Sequence, residues 1–169
     1  MAVVGVSTIA TNYTQSDPVS ATELTQTSGR ALRIIAPGAA TYQLKKSESG
    51  ALCLFSEVAV AYTLPEIKDA TDLGMSFEFA VTTTTTSAHS VTTKVATEFL
   101  VGVILGISDV VTAEDAFTAN GTSHVTMSMS STTTGGIAGG VFRFTAVTLT
   151  QWMVDGITMG SGTLATPFS

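Results

Sequence analysis

Charge is what this chain has least of. Only 12% of its 169 residues are Asp, Glu, Lys or Arg, against about 25% in an ordinary soluble domain. So little charge leaves a surface that rarely faces water on all sides, and copies of the chain or a larger assembly are expected to cover much of it. The seven basic residues (Arg30, Arg33, Lys45, Lys46, Lys68, Lys94 and Arg143) are scattered, and the net charge is −6. No basic stripe exists to neutralise phosphates, so neither nucleic acid nor an anionic membrane surface is an expected partner.

Cysteine is nearly absent too. Cys53 stands alone, which excludes an intrachain disulfide and fits either a reducing cytoplasm or a chain insensitive to redox state. It lies in the apolar run Ala51-Leu52-Cys53-Leu54-Phe55 and is expected to be a buried structural thiol. Long hydrophobic runs are missing: the longest, Phe99 to Ile107, is about half of what a membrane span needs. The opening Met1-Ala2-Val3-Val4-Gly5-Val6 lacks the positive region of a secretory signal. The only two Asn residues, Asn12 and Asn120, each begin an Asn-x-Thr sequon. Without such a signal both are expected to be unglycosylated turn residues.

What fills the chain is Thr and Ser, thirty and seventeen residues respectively. Hydrophobic content is nonetheless 44% with a mean hydropathy of +0.40, the reverse of a disordered composition. The length fits one domain with a real core.

Residues 1–28 read as an N-terminal arm, polar around Thr11 to Pro18, and residues 29–169 as a β domain. Short apolar runs punctuated by Gly, Pro and Ser/Thr dominate from residue 30 onward. Ala31 to Ala36 ends at Pro37-Gly38, and Thr41 to Lys45 at a Ser47–Gly50 turn. Ala51 to Phe55 and Val58 to Leu64 follow. Met75, Phe77, Phe79 and Val81 alternate with Ser76, Glu78, Ala80 and Thr82, the signature of a strand with one buried face. The Thr82–Thr86 run is expected to extend it, since β-branched Thr stiffens an extended backbone. Val91 to Val95 and Glu98 to Ile107 are further strands, the second expected at the centre. Thr112 to Phe117 is the best place for a helical turn, and Asn120-Gly121 for a tight turn. His124 to Ser130, Val141 to Leu149 and Gln151 to Ile157 alternate again, and Gly160 to Ser169 reads as a C-terminal tail. The pattern predicts an all-β fold: a single β-sandwich or jelly-roll-like barrel of eight to ten short strands.

Little of this chain carries chemistry. His89 and His124 sit among Ser and Thr, and Asp17, Asp109, Asp115 and Asp155 are scattered. A zinc site needs three or four His, Cys or acidic ligands, and neither that spacing nor a G-x-S-x-G elbow occurs. No catalytic residue, metal or cofactor is expected. Gly135-Gly136-Ile137-Ala138-Gly139-Gly140 lacks the order and the following Lys of a phosphate loop, and is expected to be a hairpin loop or a close-approach site. Trp152 is expected in the core, although an exposed Trp between Gln151 and Asp155 would suit a sugar. Met127, Met129, Met153 and Met159 read as adaptable core filler. Lys45, Lys46 and Glu48 look like a solvated turn, and Glu66, Lys68, Asp69 and Asp72 like a solvated loop.

At Ser49 to Phe55, Tyr62-Thr63-Leu64-Pro65, Gly74-Met75-Ser76-Phe77-Glu78-Phe79 and Ser161 to Phe168, the chain resembles small structural proteins of tailed phages, above all head-decoration or cement proteins. The likeness also covers Asn120 to His124, Thr133 to Gly136 and Trp152 to Gly156, and so extends over residues 49–168, leaving the arm unmatched. It implies a β-rich, homotrimeric cement subunit on the outer capsid surface of the virion, assembled in the host cytoplasm. There it would fasten neighbouring major capsid proteins, with no active-site residues to carry over. Three other readings stand beside it: a tail or fibre subunit, a carbohydrate-binding module using Trp152, and an enzyme bringing His89 or His124 to a carboxylate.

Overall fold

A computed structural model describes residues 33–169, apart from residues 39, 111–113 and 131. The expected arm over residues 1–28 lies outside the described residues. Eleven strands occur among the described residues: β1 (Ile34–Ile35), β2 (Thr41–Gln43), β3 (Leu52–Phe55), β4 (Ala61–Thr63), β5 (Ser76–Val81), β6 (His89–Thr92), β7 (Phe99–Ser108), β8 (Glu114–Asn120), β9 (Thr126–Met129), β10 (Ile137–Thr148) and β11 (Gln151–Gly160). The helical content among the described residues is two 3-10 turns, Lys46–Glu48 and Ala70–Asp72. The protein is all-β.

The strands form two mixed sheets. The larger has seven strands in the order β1-β3-β5-β10-β11-β7-β8, the smaller four in the order β2-β4-β6-β9. Neither closes into a barrel among the described residues. From β1 to β6 the chain alternates between the sheets, and each return adds a parallel neighbour. Parallel strands need a crossover, and here a strand of the other sheet supplies it in place of a helix. The antiparallel hairpin β10–β11 then inserts between β5 and β7.

One core joins the sheets. Tyr62 of β4 stands edge-on to Phe55 of β3 and Phe79 of β5, at ring separations of 5.1 and 5.3 Å. Phe79 stacks on Phe142 of β10 at 5.5 Å. The alternation expected for residues 75–81 holds, with Phe77, Phe79 and Val81 buried and Glu78 exposed. Met127 and Met129 are buried as expected, while Met153 is 42% exposed. Gly156 lets β10 and β11 approach. At its φ of +141°, a Cβ would lie 2.4 Å from Phe142 Cα, which only glycine avoids without strain.

Four expectations are corrected. The stretch expected as a helical turn is β8 from Glu114 onward, paired with β7; ladder partners override its Ala, Glu and Asp content. The hydrophobic strand β7 is next to the sheet edge, and β10 is the central strand. The Thr run leaves the sheet after Val81. Its hydroxyls donate to carbonyls at the end of β3 and in the loop after it: Thr82 to Phe55 at 3.0 Å, Thr83 to Ser56 at 2.9 Å and Thr85 to Val58 at 2.7 Å. The expected tail ends in the smaller sheet. Phe168 bridges Met127, and Ser169 O accepts from Val125 N at 2.8 Å and Thr126 N at 2.9 Å.

Candidate functional site

The residues weighed for chemistry are dispersed and occupied. His89 is buried against the Phe55 ring. Its Nδ1 accepts from Val60 N at 3.2 Å, so the proton is on Nε2, which donates to Thr83 O at 2.9 Å. Burial holds its pKa below the ordinary value. His124 accepts from Asn120 N through Nδ1 and stacks on Phe168. Neither has a carboxylate partner among the described residues. Burial pushes the Cys53 thiol up to about 12, with Glu48 adding to the effect, so it is a poor nucleophile. No group of three His, Cys, Asp or Glu able to hold a metal occurs among the described residues, and no helix there is long and apolar enough to cross a membrane.

Trp152 is fully buried, and its Nε1 donates to Glu98 Oε2 at 3.2 Å. Glu98 Oε1 accepts from Ile67 N at 2.6 Å. Burial raises the Glu98 pKa and these hydrogen bonds oppose the rise. Sequence reasoning passed over this carboxylate, whose partners are 31 and 54 residues away. Two acids expected in solvent are also buried. Glu48 accepts from Arg33, from the Tyr42 hydroxyl and from Lys45 N. Asp72 takes the Lys46 ammonium together with Lys68 N and Asp69 N. Lys46 is foremost in holding its pKa below the ordinary value. The 3-10 turns aim backbone N–H groups at these carboxylates, which satisfies them inside the fold. Asn120 acts as the expected turn residue: its Oδ1 accepts from Thr122 N at 3.0 Å and Ser123 N at 2.9 Å. The turn joins β8 to β9 across the two sheets and closes no hairpin.

What remains unpartnered is a surface. Five of the nine large hydrophobics exposed among the described residues point outward from the larger sheet: Ile34 at 61%, Val141 at 55%, Val103 at 49%, Ile157 at 43% and Met153 at 42%. Strand register sets them in rows. One row reads Leu54, Ala80, Val141, Ile157, Leu105 across β3, β5, β10, β11 and β7. The next reads Ile34, Leu52, Glu78, Arg143, Asp155, Val103 across β1, β3, β5, β10, β11 and β7. Arg143 NH2 donates to both Asp155 oxygens at 3.3 Å. A shallow depression of about 290 Å³ opens over this charged segment, between Glu78, Val141, Arg143 and Gly156. Such a face can bind a complementary protein surface.

No protein-family model matches the chain, and no curated protein matches it.

Proposed function

We propose that this protein is a non-enzymatic structural subunit of a virion, of the head-decoration type. It binds the outer surface of a tailed-phage capsid, bridges neighbouring major capsid proteins and self-associates, as a homotrimer on the resemblance noted above. In this reading the two sheets are the halves of a β-sandwich. The observation that carries it is the exposed apolar face of the larger sheet on a chain with only 12% charged residues. Isolated exposed apolar residues are ordinary, but an ordered row of them marks an interaction surface. The mechanism is linkage: a subunit that binds only the expanded shell stabilises it by RT ln(1 + [L]/Kd). The rival carbohydrate reading needs an exposed Trp platform, and Trp152 is in the core.

The test is co-sedimentation of the purified chain with expanded and unexpanded empty capsids of the phage that encodes it. Saturable binding to the expanded form, with a raised shell melting temperature, is the expected result. No binding to either form overturns the proposal.

A further inference from the structure

We infer that the outer face of the larger sheet docks on the same face of a second copy, about a two-fold axis running along the strands between β5 and β10. The inference rests on the self-association proposed above and adds to its three-fold contact a second, two-fold one.

The charges fix the axis. Arg143 is the register neighbour of both Glu78 and Asp155, yet of the two it bonds Asp155. Glu78 is exposed and has no ion pair among the described residues. An axis between β5 and β10 sets Arg143 of each copy opposite Glu78 of the other, which forms two ion pairs and leaves Arg143–Asp155 intact. The alternative axis, between β10 and β11, sets Glu78 opposite Val103 of the second copy. That arrangement buries an unpaired carboxylate, which is costly.

The apolar positions follow the same axis. β1, β3 and β5 are on one side of it, β10, β11 and β7 on the other. Ile34 then meets Val103 of the second copy, Leu54 meets Ile157, and small Ala80 meets Val141. These reciprocal contacts are what an isologous interface requires, and sheets packed on a shared strand direction keep within about 30° of each other. Across this axis β5 faces β10, β3 faces β11 and β1 faces β7, and the opposed strand residues cover roughly 400 Å² of each copy at ~4.8 Å per strand and ~3.4 Å per residue. The contact joins chains in pairs, so association through a further three-fold surface would give an even total.

The test is charge exchange read by light scattering. An even number of chains is expected for the unaltered protein, and half that mass for Arg143→Glu or Glu78→Arg alone, since each then opposes like charges. Mixing the two variants sets opposite charges across the axis again and restores the full mass. As a check that survives a folding defect, Leu54→Cys and Ile157→Cys chains are mixed and oxidised. A crosslinked pair is expected from the mixture and from neither variant alone, because like positions lie ~14 Å apart across three strand spacings. A monomer, a bare trimer, unchanged mass in the reversed variants or absence of the mixed crosslink overturns the inference. Capsid co-sedimentation separates the two proposals: a chain that binds shells but fails the exchange sinks only the two-fold contact, and one that passes the exchange but ignores shells sinks only the decoration role.

Discussion

Trp152 and Glu98 are hydrogen-bonded to each other inside the core, Nε1 to Oε2 at 3.2 Å, with Glu98 also pinning Ile67 N at 2.6 Å. One carboxylate thereby ties β11 to the loop after β4. Glu98→Ala strands two buried donors, each costing about 1–3 kcal/mol. A loss of roughly 2–6 kcal/mol in urea unfolding is expected. Glu98→Gln keeps one acceptor and is expected to cost less. Equal stability of the alanine variant and the parent would show that this pair does not hold the core together.

His89 makes the fold sensitive to mild acid. Its folded pKa lies below the ordinary 6.5, so below pH 6.5 the unfolded chain takes up a proton that the fold resists. Stability therefore falls as pH drops through that value. Glu98 acts in the opposite sense: its raised pKa gives stability below pH 4.5 that is lost as pH rises through its folded value. His89→Gln can keep both hydrogen bonds without titrating. Unfolding curves on either side of the ordinary histidine pKa should show a smaller acid penalty in the variant, and identical penalties would contradict the assignment.

Cys53 is structural. A thiol reagent should leave it unmodified in the folded protein and label it fully in denaturant, because it is buried with its pKa pushed up to about 12. Cys53→Ser replaces the thiol with a more polar hydroxyl at a fully buried position, at an expected cost of about 1–3 kcal/mol. Loss of capsid binding at unchanged stability would contradict this role.

Deleting residues 1–25 is expected to leave the two-sheet fold intact and to weaken attachment to the capsid. Far-UV circular dichroism and co-sedimentation measure the two effects separately. A truncated chain that does not fold would place the arm in the core.

The strands were legible wherever one face is dry. Met75 to Val81 and Trp152 to Val154 announce their buried sides by alternation, and Cys53 by its apolar neighbours. The Thr run was misleading, because β-branching favours extended backbone while free hydroxyls can also cap neighbouring carbonyls, and here they do. Glu48 and Asp72 looked solvated because the donors that satisfy them are backbone groups of local turns and side chains up to 26 residues away. The apolar outer face was hidden for a different reason. Val141 meets Ala80, and Ile157 meets Leu105, only through a strand order that does not follow the sequence.

The native mass of the purified chain, measured by light scattering at two concentrations, tests most directly the claim that this is a building block whose charge-poor surface is covered by copies of itself. The account predicts a multi-chain assembly of the same mass at both concentrations. A monomer at both would contradict it.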